Sequence, residues 1–252
     1  LCTFQDITES MRREREAQTE RRLAAIGEMA AGIAHEIRNP LASMAGSIQV
    51  LRKELHLSPE QGQLMDITLR ESERLDHTVG NFLVYGRPQR PSSSSVDLAS
   101  VVRESAQLLR HSAQCRDDHE VVVAAEGGTR ARVDEAQLRQ VIWNLATNGL
   151  KAMPDGGRLR LEVGLSAGGD ATVVVRDNGI GISSADLGHL FEPFRSTFPG
   201  GTGLGLSIVH RIVSDAGGTI EVESAPGIGT SVRVTVPGGV ATEGALPEAL
   251  SA

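Results

Sequence analysis

His35 sits in the run Ala34, His35, Glu36, Ile37, Arg38, Asn39, Pro40, at a place where Ile33 and Ile37 carry the apolar seam of a long helical pattern. Off that seam it is expected to face solvent. An exposed imidazole can act as a nucleophile when a neighbour accepts or orients its second proton, and Glu36 is adjacent. Taken alone, such a histidine is more often plain surface chemistry.

A second constellation lies far downstream. Asn144, Asn148 and Lys151 are spaced by four and three, which places them on one face of a helix. Asparagine carbonyls are acceptable ligands for hard cations, and a lysine can meet phosphate as a point charge, so this face suits a magnesium triphosphate. Without context it is an ordinary polar helix face. Context comes from two glycine-rich stretches: Asp177 to Gly181 directly after a strand pattern, and Gly200 to Leu206 directly before a helical one. Glycines there let backbone approach a ligand closely and offer amide donors at a helix N-terminus. Between them, Phe191 and Phe194 frame Glu192 and Pro193 in a stretch that reads as a loop, where the two rings could anchor a movable lid or simply pack the loop.

These groups must be held by two kinds of architecture. From Thr8 to about Leu55, apolar residues recur at steps of three or four with Pro40 as the one proline, which predicts a single long helix bent near His35. A second helix is expected from Ser58, Pro59 and Gln61, a capping box with proline at the first helical position. Two antiparallel helices bury too little alone, so a four-helix bundle made with a second copy is expected. The run from Gly86 to Ser95 breaks both periods and reads as a linker. Beyond it, helices are predicted near 97–112, 134–153 and 203–216, and strands near 120–124, 158–165, 171–176, 218–223 and 230–236. The fold class expected is therefore α followed by α/β.

Composition narrows the function. A formal charge of −7 argues against a general nucleic-acid binder. Cys2 and Cys115 lack metal-ligand spacing, and a reducing compartment fits them. No run of apolar residues is long enough to span a bilayer, so this fragment is expected to be cytoplasmic and without membrane contact. The opening LCTFQDIT reads as the last strand of something larger, which places a sensor, and room for a membrane anchor, before Leu1.

Taken together and in order, these motifs resemble the sensor histidine kinases. Ala34 to Leu41 resembles the H box, Asn144 to Lys151 the N box, Asp177 to Gly181 the first glycine box, Phe191 to Phe194 the F box, and Gly201 to Gly205 the second glycine box. The likeness spans about residues 21 to 236; AHEIRNPL, and FEPF followed by GTGLGL, look most like kinases serving nitrogen-regulation or pilus-type regulators. Thr3 to Thr8 looks like the end of a PAS sensor domain. The resemblance implies a domain plan of 1–20 as the end of a PAS-like sensor and signalling helix, 21–86 for dimerisation and histidine phosphotransfer, and 87–95 as linker. It further implies a catalytic ATP-binding α/β sandwich over 96–237, of the type shared with topoisomerases and a chaperone family, and a flexible tail over 238–252.

What the resemblance implies for chemistry is specific. His35 is the phospho-acceptor, Glu36 its acid/base group, and Asn39 positions water when a phosphorylated partner is dephosphorylated. Asn148 is the magnesium ligand, with Asn144 and Lys151 near the phosphates, and Asp177 accepts from the adenine amino group. Gly179, Gly181, Gly201, Thr202, Gly203, Leu204 and Gly205 shape the ATP pocket and lid. Arg195 stands near where relatives often have a lysine and could supply that charge. The implied activity is autophosphorylation from ATP and magnesium in a homodimer, followed by transfer to an aspartate of a cognate response regulator. Two alternatives are an ATPase of the wider superfamily and a non-catalytic nucleotide-binding scaffold. The first lacks a glutamate one turn before Asn148, where Asn144 stands. Gly149 stands where alanine is usual, at a cost of about 1 kcal/mol in helix propensity.

Overall fold

The computed structural model describes residues 37–55, 57–86, 94–125, 127–198 and 201–238. The chain divides into two units, Leu1–Arg90 and Pro91–Ala252. The PAS-like segment, the first part of the long helix, His35 and Glu36 lie outside the described residues, as do most of the linker and tail.

In the first unit, helix α1 covers 37–54 and helix α2 covers Pro59–Gly86. The capping box forms as its sequence requires. The Ser58 backbone N–H donates to Gln61 Oε1 at 2.9 Å, and the Gln61 N–H returns to Ser58 Oγ at 3.3 Å. Antiparallel register is set by Arg38 Nε to Asp76 Oδ1 at 2.6 Å, Ser72 Oγ to the Leu41 carbonyl at 3.3 Å, and an Arg52–Asp66 ion pair. Asn39 is exposed on α1, one residue before Pro40.

The second unit begins with β1 (Ser94–Asp97), α3 (Leu98–Arg110), β2 (His119–Ala125), β3 (Arg130–Val133) and α4 (Glu135–Lys151). It continues with β4 (Gly157–Leu165), β5 (Ala171–Asp177), a single turn α5 (Ser184–Leu187), α6 (Gly205–Asp215), β6 (Thr219–Ala225) and β7 (Gly229–Val236). Helices α3 and α4 start where aspartates cap them: Asp97 Oδ1 accepts from Ala99 and Ser100, and Asp134 Oδ1 from Ala136 and Gln137.

Five strands form one sheet in the order β2-β4-β5-β7-β6, parallel between β2 and β4 and antiparallel elsewhere. Helices α3, α4 and α6 pack together and against it. This is a helical hairpin followed by an α/β sandwich, the fold class expected. The core is aliphatic: Leu98, Leu109, Ile142, Leu159, Leu161, Val173 and Val209 are all but completely buried. Strand β5 occupies the centre of the sheet and buries six of its seven residues, which fixes Asp177 at its end.

Two local differences from the sequence reading stand out. Ser94 and Ser95, expected in the linker, pair with Val133 and Arg132 in an antiparallel ribbon of β1 and β3. Their partners lie more than thirty-five residues away, so a serine run with no local periodicity concealed the strand. At the other end, Gly238 bridges to Ala131, so the first residue assigned to the tail is held at this ribbon.

Candidate nucleotide-binding site

Asp177 is 8% exposed, and its Oδ1 accepts the N–H of Gly179 at 2.9 Å and the N–H of Thr230 at 3.2 Å. Burial pushes its carboxyl above the usual carboxylate range, while the backbone donors from Gly179 and Thr230 pull the other way. Oδ2 is left without a described protein partner and is the atom able to accept from a ligand.

The loop after Asp177 is pinned on both sides. The Ile180 N–H donates to the Ala152 carbonyl at 2.9 Å, and a Cβ on Gly179 would collide with that same carbonyl. Glycine is therefore required at 179 by close approach of α4's end. Gly181 lies against the Ala225 carbonyl, the Gly227 N–H donates to the Ile180 carbonyl at 2.8 Å, and the Ile182 N–H donates to Ser224 Oγ at 2.9 Å. Asn178 turns its Oδ1 to the Arg158 N–H at 2.7 Å and so ties the loop to β4.

Helix α4 supplies the next wall. Asn144 is buried and its Nδ2 donates to the Gly205 carbonyl at 3.3 Å, at the first residue of α6. Asn148 is half-buried, with its Nδ2 3.9 Å from the position a Gly205 Cβ would take. Gly149 faces Asp177: a Cβ there would sit 3.5 Å from Asp177 Cβ and 2.6 Å from Leu159 Cδ1. Residues 148 and 149 of one helix thus face α6 and Asp177 respectively. Lys151 ends the helix, exposed.

The segment between α5 and α6 folds back on itself. The Phe194 N–H donates to the Gly203 carbonyl at 3.1 Å, and Phe194 itself has φ 64° and is exposed. Gly203, at φ 67°, packs against the backbone of Phe194 and Arg195, a contact that no side chain could share. Arg195 pairs with Glu192 at 3.3 Å and Asp186 at 3.7 Å, while His189 Nδ1 meets Glu192 at 2.7 Å and holds that carboxyl below its usual range. Phe191 is tilted against His210 of α6 at a ring distance of 5.2 Å. Gly201 lies beside Ser196, the Thr202 hydroxyl accepts from the Leu204 N–H at 3.4 Å, and Leu204 is buried. Helix α6 then starts at Gly205 with no side-chain cap, leaving first-turn donors for a ligand.

Among the described residues no group of three or more His, Cys, Asp or Glu could hold a metal ion. A cation that keeps most of its waters and takes one protein oxygen and phosphate is compatible with Asn148. Thr230 and Ser224 escaped sequence reading because their place beside Asp177 depends on the β5–β7 and β6–β7 registers, which no short motif announces.

Comparison with known proteins agrees with this architecture. The family model described as histidine kinase-, DNA gyrase B-, and HSP90-like ATPase matches residues 133–239, and the His Kinase A (phospho-acceptor) domain matches residues 25–91. The chain belongs to the histidine kinases, as a core of phospho-acceptor and ATPase-type domains. Sensor histidine kinase ZraS of Klebsiella oxytoca is 37% identical over 216 residues, covering 86% of this chain and 47% of the relative. Sporulation kinase D of Bacillus subtilis is 37% identical over 232 residues, covering 91% and 45%. The chain spans about half the length of the curated relatives it matches. Among solved structures, full-length ShkA in complex with AMPPNP aligns with a TM-score of 0.71 at 27% identity, over 85% of this chain and 46% of that one. ThkA in complex with the response regulator TrrA aligns at 0.61 and 26%, over 93% and 68%.

Proposed function

We propose that this chain binds ATP in the second unit and transfers its γ-phosphoryl group to His35. The observation that carries the reading is Asp177: a buried carboxylate with one oxygen held by two backbone amides and the other available to a base amino group. Next to it, α4 presents Asn148 towards the uncapped start of α6, where phosphate is favoured by free N–H groups. The AMPPNP bound by ShkA supports a nucleotide of this class.

Asn148 would hold magnesium through its carbonyl oxygen, and a bound magnesium would supply charge neutralisation of the triphosphate. Lys151 adds positive charge at the end of α4. Asn144, whose amide is spent on Gly205, offers no basic carboxylate to activate water, which disfavours simple ATP hydrolysis. The described parts of the lid, 188–198 and 201–204, would exclude water, and Arg195, now paired with Glu192 and Asp186, would turn to phosphate on leaving them. Attack by an imidazole nitrogen of His35 forms a P–N bond as the bond from γ-phosphorus to the bridging oxygen breaks and ADP departs. Glu36 orients the remaining imidazole proton.

The phosphoryl group then passes to an aspartate of a response regulator, a partner class supported by the ThkA complex with TrrA, and Asn39 orients water for the reverse hydrolysis. The exposed apolar stripe of the hairpin favours a homodimer through a four-helix bundle, with the domain boundaries given above. The H-box sequence favours the nitrogen-regulation or pilus-type subgroup, and a core without a membrane-spanning helix among its described residues fits a cytoplasmic site of action.

Incubation of the chain with γ-labelled ATP and magnesium tests this. Label that is acid-labile, alkali-stable and absent from His35→Ala is expected. ATP binding with no such label would leave a scaffold, and steady phosphate release an ATPase.

A further inference from the structure

Ser224, one residue from the end of β6, makes three hydrogen bonds at one oxygen. Its Oγ accepts the Ile182 N–H at 2.9 Å, lies 2.9 Å from the Gly229 carbonyl oxygen and lies 2.9 Å from Thr230 Oγ1. Counting protons fixes the directions. The Ile182 amide can only donate and the Gly229 carbonyl can only accept, so the single Ser224 proton goes to Gly229. Thr230 is then the donor to Ser224. The reverse choice would leave the Ser224 and Gly229 oxygens 2.9 Å apart with no proton between them.

The consequence falls on the ligand side. With its one proton spent, the Thr230 hydroxyl can only accept from anything else. Thr230 is buried and paired directly with Asp177 across β5 and β7, and such pairs turn their side chains to the same face of a sheet. The Thr230 N–H also donates to Asp177 Oδ1. A carboxylate and an acceptor-only hydroxyl therefore share one face of the sheet, and the two amide donors beside them, of Gly179 and Thr230, are already spent on Asp177 Oδ1.

We propose that Ser224 is a positioning residue for base selection. By claiming the Thr230 proton it keeps the wall beside Asp177 free of donors, so the site takes a purine presenting an exocyclic amino group and rejects one presenting a carbonyl oxygen. The inference rests on the reading of Asp177 as the acceptor for the base. Without Ser224, the Thr230 hydroxyl is free to rotate and donate, and a carbonyl-bearing base is no longer penalised there.

Competition of ATP and inosine triphosphate against a fluorescent ATP analogue on the full chain, with thermal melts in parallel, decides the matter. Wild-type protein should prefer ATP, and Ser224→Ala should narrow the ratio of the two affinities by about tenfold, the scale set by one misdirected buried hydrogen bond. Ser224→Thr, which keeps the hydroxyl, should restore it. Thr230→Val removes the acceptor and should narrow the ratio as well, which keeps the test alive if Ser224→Ala does not fold. Equal weakening of both nucleotides in Ser224→Ala and Thr230→Val, with an unchanged ratio, would mean a purely structural serine and overturn the proposal. Wild-type protein that binds neither nucleotide would instead overturn the reading of the site itself.

Discussion

The two units of this chain satisfy their apolar residues in opposite ways. In the second unit the sheet and three helices enclose Leu98, Leu159, Leu161, Val173 and Val209 to within about 1% of complete burial. In the hairpin only Leu41 is buried among the described residues, while Ile37, Met44 and Leu51, at seven-residue spacing, are 41%, 52% and 43% exposed. Leu64, Ile67 and Leu75 on α2 are likewise open. Its cross-hairpin ion pairs are half-exposed, so they set register more than they stabilise. One unit is closed around its own core and can spend buried polar groups on a ligand; the other, among its described residues, leaves an apolar seam exposed.

The largest effect that sharpens this contrast is expected at Asp177. Burial raises its folded pKa, so the charged form is disfavoured in the folded state. Any stability from this group is present at pH values below the ordinary carboxylate range and is lost as pH rises through the raised pKa. At neutral pH the carboxylate is thus a cost to the fold, kept for ligand recognition. Asp177→Asn should retain Oδ1 as acceptor for Gly179 and Thr230, melt at the same or a higher temperature, and lose ATP affinity by about 100-fold, as expected when a buried acceptor becomes a donor facing an amino group. A melting point several degrees lower, or unchanged affinity, would break the argument that this unit trades stability for binding. In wild-type protein, ATP affinity should decline on acidification sooner than an ordinary aspartate would dictate, a trend that titration calorimetry across pH can follow.

What could be read from sequence follows the same division between local and distant causes. The starts of α3 and α4 were legible because Asp97 and Asp134 act within three residues of themselves. Strand β5 was legible as an apolar run, and Asn144 and Asn148 fell on one face because helical spacing alone decides it. The β1–β3 ribbon was not, since its serines gain their partners through a distant loop closure. Neither was the polar hub at Ser224, whose three partners come from a glycine loop and a hairpin joined by sheet register. His35 and Glu36 lie outside the described residues, so for them the sequence remains the whole argument.

An intermediate effect is expected on the open seam. Leu51→Glu places a charge in the exposed heptad stripe of α1, where a partner surface would have to desolvate it. Self-association of the full chain, measured by sedimentation, should weaken by at least about tenfold, while ATP affinity of the second unit stays within about twofold. Undiminished association would show that the stripe is covered by something other than a second copy. A parallel loss of nucleotide affinity would show that the seam and the nucleotide site are coupled.

The smallest effect is expected at Gly149, where two terms nearly cancel. Alanine would gain about 1 kcal/mol of helix propensity in α4. Its Cβ would meet Leu159 Cδ1 at 2.6 Å, a contact that the leucine must relieve by turning within a packed core, and Asp177 Cβ at an ordinary 3.5 Å. Overpacking of this kind costs about 1–3 kcal/mol, so the net change is a loss of about 0–2 kcal/mol and a small fall in melting temperature. ATP affinity should stay within about threefold, because the relief falls on Leu159 rather than on the Asp177 carboxylate. The glycine is then explained by packing against β4: a full-sized Leu159 fills the space that an alanine methyl would otherwise take. Leu159→Val should make room for it, so that Gly149→Ala is less destabilising in that background than in wild type. Additive losses in the double variant would remove Leu159 as the cause.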